Sequence, residues 1–296
     1  MTGRIFDIKR FAIHDGDGIR STVFFKGCPL RCIWCHNPES ISKRIELQYV
    51  EKKCVGCGEC VSVCPSACHE VAFGIHRLDR RNCIACGRCA DVCLGDSLSL
   101  CGKNVTVDEV ATILMEDYSF YKNSGGGITL SGGECLCQAD FCAELLKKMK
   151  ENGIHTAIDT CGYVDKSSID KVIQYTDIFL YDIKHMDESA HKRLTGVSNK
   201  IILENLKYID AQGKLIEIRI PFIKGCNDDI TDSAAEFISN LKNVSAVRLL
   251  AYNNLAGSKY GIIGKENTMP KSQPPTHDEL KSVASAYQSK GIKVII

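Results

Sequence analysis

The sequence predicts an α/β chain: an incomplete (β/α)6 TIM-like barrel with an inserted ferredoxin-like domain for two [4Fe–4S] clusters. Three observations predict it. Short β-branched runs alternate with amphipathic, charge-rich stretches of helical length. One cysteine-dense segment interrupts that alternation. Polar residues recur at the carboxyl ends of the expected strands, where parallel α/β sheets carry their sites.

The expected strands are 21–26 (STVFFK), 127–131 (GITLS), 154–159 (IHTAID), 177–182 (DIFLYD), 215–220 (LIEIRI), 245–250 (SAVRLL) and 291–296. The expected helices are 107–121, 138–152, 166–175, 187–195, 200–211, 230–241 and 276–289. Strands spaced by helix-length segments imply βαβ units with right-handed crossovers, about six in number. Domain limits follow from composition: 1–48 and 99–296 for the barrel, 49–98 for the insert.

Within the insert, CVGCGECVSVCP places Cys54, Cys57, Cys60 and Cys64 at C-x2-C-x2-C-x3-C. CIACGRCADVCL repeats the spacing with Cys83, Cys86, Cys89 and Cys93. In this bacterial ferredoxin spacing, three cysteines wrap one cubane and the fourth ligates the other. The expected quartets are therefore Cys54, Cys57, Cys60, Cys93 and Cys83, Cys86, Cys89, Cys64. Paired four-cysteine zinc sites are the alternative, but zinc motifs set two C-x2-C pairs apart. Cys68 and Cys101 lie outside the pattern. An insert of about 50 residues is too small to hold together by apolar burial alone.

The 18 cysteines also bear on compartment. In a long chain without an apolar leader, C-x2-C repeats point to metal rather than disulfides, and a cytoplasmic protein is expected. The 37 basic and 36 acidic residues nearly cancel, so no nucleic acid or membrane partner is expected.

GCPLRCIWCHNPE, residues 27–39, carries Cys28, Cys32 and Cys35 at C-x3-C-x2-C. Three thiolates leave one iron of a cubane open, the mark of a catalytic rather than a structural metal. Zinc with His36 is the rival, but His36 directly follows Cys35 and both would have to reach one small ion. The other polar candidates share the rim: SGGE (Ser131 to Glu134), Asp159 and Thr160, Asp182 and Lys184, and Arg219. Taken singly, each has a plainer reading as a turn, a helix cap or an ion pair.

C-x3-C-x2-C with Trp34 before the last cysteine resembles the radical S-adenosylmethionine superfamily. HDGDGIRSTVFFKGCPLRCIWCHNPE, YKNSGGGITLSGGE, DTCGY, YDIKHMD and LTGVSN resemble glycyl-radical-enzyme activating enzymes over nearly the whole chain. The insert resembles that of the longer members, activases of enzymes of the choline lyase, glycerol dehydratase or arylalkyl decarboxylase kind. The resemblance implies three [4Fe–4S] clusters, S-adenosylmethionine on the open iron, and a 5′-deoxyadenosyl radical that takes a glycine α-hydrogen from a partner enzyme. It implies that Gly132, Gly133 and Glu134 meet the methionyl amino group. Asp159, Asp182 and the carbonyls of Thr160 and Leu180 would hold a monovalent cation. Trp34 would pack near the adenine, and Lys184, Arg219 and Asp15 would line the opening for the glycyl loop. A flavodoxin- or ferredoxin-type donor and a monomeric state are expected with it. Departures are Asp17 in place of a family proline, Cys135 after GGE, Lys224 in the fifth-strand loop and Asn253 in place of a histidine, which leaves the ribose contact to an asparagine amide. Cys135, Cys137, Cys142 and Cys161 are expected to be buried small hydrophobes. A radical enzyme acting on a small molecule or peptide is the alternative activity, and a plain electron carrier leaves SGGE unexplained.

Overall fold

The computed structural model describes residues 1–296. In chain order the strands are β1 (Thr2–Ala12), β2 (Arg20–Phe25), β3 (Glu46–Tyr49), β4 (His69–Ala72), β5 (Ile75–Leu78), β6 (Leu98–Cys101), β7 (Lys103–Thr106), β8 (Gly127–Gly132), β9 (His155–Thr160), β10 (Ile178–Asp182), β11 (Leu215–Phe222), β12 (Val244–Ala251) and β13 (Val294–Ile295). Nine of them form one open sheet in the order β13-β12-β11-β10-β9-β8-β2-β1-β7. From β2 to β13 every pairing is parallel, and β1 and β7 add an antiparallel edge. This mixed sheet is consistent with a partial barrel.

The parallel strands are continuous apolar runs because both faces are covered. Val23, Phe25, Ile128, Leu130, Ile158, Phe179, Tyr181, Ile216 and Ile218 are all fully buried. The helices are α1 (Glu59–Val63), α2 (Arg88–Asp91), α3 (Val107–Met115), α4 (Tyr118–Ser124), α5 (Ala139–Glu151), α6 (Lys166–Val172), α7 (Glu188–Thr195), α8 (Lys200–Ala211), α9 (Thr231–Ser239), α10 (Gly257–Ile262) and α11 (His277–Ser289). Helix α5 buries Cys142, Leu145, Leu146 and Met149, the one-sided spacing that packs a helix on a sheet. Capping boxes start α3 (Thr106, Glu109) and α11 (Thr276, Glu279).

All seven expected strands are present, with shifted ends. The single helix expected over 107–121 is instead two. Asp117 lies between them, buried, and its carboxylate accepts hydrogen bonds from Arg10 of β1 and from Ser21 Oγ of β2 at 2.7 Å. Pinning that side chain to the sheet turns the chain out of the helix. Strands β1 and β7 and helix α10 were not expected.

The segment between β3 and β6 projects from the β2–β8 crossover. It is closed at its base by the β3–β6 ribbon and holds the β4–β5 hairpin. Arg80 ties it to the body: its guanidinium donates to Leu47 O and, at 2.7 Å, to Ile262 O at the end of α10.

Candidate active site and metal centres

One cavity of about 710 Å³ opens at the carboxyl ends of β8, β9 and β10. Cys28, Cys32 and Cys35 line it together with Trp34, His36, Ser131, Gly132, Gly133, Asp159, Thr160, Cys161, Asp182 and Lys184.

The cysteine loop is held by its backbone from outside the cavity. Arg31 N and Ile33 N donate to Thr195 O and Leu194 O at 2.7 and 3.0 Å, so the LTGVSN segment fixes the loop. Tyr260 Oη of α10 donates to Cys35 O at 3.0 Å. Trp34 packs with Leu194, Ile223, Tyr252 and Tyr260 behind the loop, and one side of it faces the cavity. With its main chain secured elsewhere, the loop leaves its three sulfurs free to converge.

The two glycines of SGGE are needed for backbone clearance. A Cβ on Gly132, whose φ is +113°, would lie 2.1 Å from Phe25 N. One on Gly133 would lie 2.4 Å from Gly27 O. Both therefore let β8 pass against the start of the cysteine loop, which sets the two halves of the cavity edge to edge. The carboxylate of Glu134 turns inward. It is fully buried and accepts hydrogen bonds from Leu136 N (3.0 Å), Thr160 Oγ1 (2.8 Å) and Cys161 N (2.8 Å). The direct ammonium contact expected of that carboxylate is thus not offered to the cavity. Burial raises the Glu134 carboxyl, against the opposing pull of those donors.

On the opposite wall, Ser131 Oγ donates to Asp159 Oδ2 at 2.6 Å and Lys184 Nζ donates to Asp182 Oδ2 at 2.7 Å. Arg219 Nη1 stands 3.5 Å from Asp159 Oδ1 and 3.6 Å from Asp15 Oδ1, and its Nη2 donates to His14 O. Burial pushes Asp159 up to about 7 against the pull of Arg219, with Asp182 and Asp15 adding to the rise. Lys184 is raised well above its ordinary value: burial opposes this but Asp182 and Cys32 outweigh it. Arg219 was expected at the opening; it is buried at 5 % exposure beneath Asp159, because three carboxylates and a carbonyl surround its guanidinium. Leu180 is fully buried beside Asp159 in the sheet register. Asn253 does not line the cavity; its Oδ1 accepts from Leu255 N, and its carbonyl lies 3.0 Å from His36 Nε2.

Cys161 is buried, as expected, and it also lines the cavity together with Cys28. A hydrogen bond from the Cys161 thiol lowers Cys28 below the ordinary thiol range. Burial pushes Cys32 up to about 12 and Cys35 up to about 11, against the opposing pull of Lys184 on both. Three converging free thiols with no fourth ligand of their own motif fit a cubane with one open iron.

The other cysteines gather as two crossed quartets. Cys54, Cys57, Cys60 and Cys93 line one cavity of about 340 Å³, and Cys64, Cys83, Cys86 and Cys89 line another of about 300 Å³. Backbone N–H groups already aim at sulfur: Cys68 N donates to Cys64 Sγ at 3.3 Å and Ser97 N to Cys93 Sγ at 3.2 Å. All of these are free thiols, and the donor set fits two four-thiolate clusters. Cys68 lines the second cavity as a fifth cysteine, and Cys101 is buried by β6 with its Sγ near Glu39 O.

The comparisons agree with this geometry. Residues 80–238, over half of the chain, match the Radical SAM superfamily, and residues 46–94 match a 4Fe-4S dicluster domain. The choline trimethylamine-lyase activating enzyme of Oleidesulfovibrio alaskensis is 42% identical over 99% of this chain and 97% of its own length. The trans-4-hydroxy-L-proline dehydratase activating enzyme of Clostridioides difficile is 41% identical over 100% and 99%. Among solved structures, a domain of pyruvate-formate lyase-activating enzyme from Bacteroides vulgatus superposes with a TM-score of 0.50 at 29% identity, covering 58% of this chain and 98% of that one. With three free thiols at one end of the sheet and full-length relatives of this kind, the chain belongs to the radical SAM superfamily and, within it, to the activating enzymes of glycyl radical enzymes.

Proposed function

We propose that this chain cleaves S-adenosylmethionine at the Cys28–Cys32–Cys35 centre and installs a glycyl radical on a partner glycyl radical enzyme. The observation that carries the reading is a three-thiol loop facing a polar cavity, in a chain whose other two cysteine sets are quartets. When bound, the cluster and S-adenosylmethionine together supply one electron and a 5′-deoxyadenosyl radical that abstracts a glycine α-hydrogen.

The protein's own contribution is placement. Cys28, Cys32 and Cys35 hold the catalytic cluster. Main-chain groups of Gly132 and Gly133 receive the methionyl ammonium, while Glu134 acts as a positioning residue by tying Thr160 and Cys161 to the SGGE turn. Asp159 and Asp182, with the carbonyls of Thr160 and Leu180, hold a monovalent cation beside the methionyl carboxylate, hard oxygen donors being suited to it. Trp34, which lines the cavity, would border the adenine. Lys184, Arg219 and Asp15 anchor the charges on the side where the glycyl loop enters. Keeping water from the cavity protects the radical from side reactions.

The ferredoxin-like unit spans 49–98, inserted into a partial barrel of 1–48 and 99–296. Its quartets hold two auxiliary [4Fe–4S] clusters, supplied with electrons by a flavodoxin- or ferredoxin-type donor. The chain is a cytoplasmic monomer that meets its partner transiently. The reconstituted, reduced protein, mixed without oxygen with S-adenosylmethionine and its cognate glycyl radical enzyme, is expected to yield a glycyl radical doublet in the electron paramagnetic resonance spectrum. 5′-Deoxyadenosine formation without any doublet, accelerated by a small molecule or peptide instead, would overturn the assignment of the partner.

A further inference from the structure

Two histidines of the projecting segment take no part in the reaction outlined above. His69 and His76 stand on β4 and β5 and are both buried, at 6 % and 7 % exposure. Their rings stack at 5.1 Å, and His69 Nδ1 lies 2.9 Å from His76 Nε2. The same His76 Nε2 lies 3.7 Å from Cys60 Sγ. His76 lines the cavity of Cys54, Cys57, Cys60 and Cys93, whereas His69 lines that of Cys64, Cys83, Cys86 and Cys89.

The tautomer follows from what is unpaired. His76 Nδ1 is buried with no hydrogen-bond partner. A proton there would be a buried donor left without an acceptor. With the proton on Nε2, the donor has two acceptors within reach, Cys60 Sγ and His69 Nδ1, and Nδ1 keeps only a lone pair. Tyr49 packs edge-on against the His76 ring at 4.6 Å and holds it in place. Cys64 and Cys93 also receive main-chain donors, which no side-chain change removes. His76 is a side-chain donor whose presence depends on the residue.

We propose that His76 is a redox-tuning residue: its Nε2–H, oriented by His69, hydrogen-bonds the Cys60 thiolate and raises the reduction potential of the Cys54–Cys57–Cys60–Cys93 cluster above that of its neighbour. This rests on the reading of the quartets as [4Fe–4S] ligands. A donor to cluster sulfur stabilises the extra electron of the reduced form, which is how such contacts set potential. The two auxiliary clusters then differ in potential although their cysteine spacing is the same, and an electron entering the segment settles first on the one beside His76. Cys60, His69 and His76 are also close enough to hold a single metal ion. With its proton on Nε2 and shared between His69 Nδ1 and Cys60 Sγ, however, His76 has no lone pair there to give a metal, and Cys60 belongs to a quartet.

The test is a redox titration of the reconstituted full-length protein, followed by electron paramagnetic resonance. The catalytic cluster is told apart because its signal alone changes on adding S-adenosylmethionine. If no signal responds, it is the assigned activity that fails, and the auxiliary potentials are still read. His76→Leu lowers the equilibrium constant for reducing one auxiliary cluster about tenfold, a shift of about 59 mV for one electron, and leaves the other in place. His76→Gln, which keeps a donor, stays within about threefold of the parent. Should His76→Leu fail to hold its iron, the parent protein labelled with 15N-histidine decides: its reduced auxiliary signal carries a weak nitrogen coupling that His76→Gln removes. Unchanged potentials in an iron-replete His76→Leu protein, or no such coupling, would overturn the proposal. So would one equivalent of zinc bound by the parent and lost in His76→Leu.

Discussion

The sheet body buries an apolar cluster of 42 residues, whereas the segment between β3 and β6 has one of three, Leu47, Cys89 and Leu98. The three-cysteine loop packs through Cys32, Ile33 and Trp34 on a separate apolar cluster of seven residues at the site, and quartet cysteines pack on the cluster of three. In the body, packing builds the frame and the sulfurs are arranged upon it. In the segment, three of the seven partly buried side chains that pack against Leu47, Cys89 and Leu98 are themselves cysteines, Cys60, Cys83 and Cys93. The difference predicts that folding depends on metal far more in the segment of the quartets than in the sheet body.

Withdrawing iron with a chelator breaks this comparison most severely. Amide hydrogen exchange in residues 46–101 should rise by about 100-fold or more, while amides of β8 to β11 remain protected. Equal protection in both regions would show that the segment has a core of its own. Next in size is the crossed ligation. Cys54→Ala and Cys93→Ala, 39 positions apart in sequence, should each cost the same cluster, and Cys64→Ala should match Cys83→Ala instead. Iron content and cluster-specific spectra read this directly.

Glu134→Ala sharpens the body's side of the contrast. It strands three donors, Leu136 N, Thr160 Oγ1 and Cys161 N, in a fully buried place. A loss of about 3–5 kcal/mol in urea unfolding is expected, with Glu134→Gln losing less. The smallest effect is that of Asp159. Its folded value of about 7 lies above the ordinary 3.8, so the native state holds a proton that the unfolded chain releases. That contribution is full below the ordinary value and is lost as pH rises through about 7. Compared with Asp159→Asn, the parent should lose stability across that window, and a bound monovalent cation should reduce the loss.

Much of this was legible in the sequence. The βα alternation was, because each parallel strand is a short apolar run flanked by helix-length segments. The quartets were too, because each run of four cysteines lies within 11 residues and its spacing sends the fourth cysteine to the other cluster. Less legible was anything decided by a distant partner. Strand β1 has a mostly exposed pattern with two register shifts, and it pairs with β7 about 100 residues downstream. The break at Asp117 depends on Arg10 and Ser21. Glu134 turns inward because Thr160 and Cys161 wait 26 and 27 residues ahead, and a carboxylate after two glycines reads the same whichever way it faces. Cys161 beside Cys28 had a weak signal, a cysteine inside the DTCGY motif.

The central claim is that the loop with one cysteine too few is the reaction centre and the complete quartets are its accessories. The measurement that tests it most directly compares the parent with a variant in which Cys28, Cys32 and Cys35 are alanine. Both are reconstituted and reduced, and their electron paramagnetic resonance spectra are recorded with and without S-adenosylmethionine. The parent signal should change on addition. The variant should keep about two-thirds of the iron, show no change, and form no 5′-deoxyadenosine. A variant that still responds to S-adenosylmethionine and cleaves it would contradict the account.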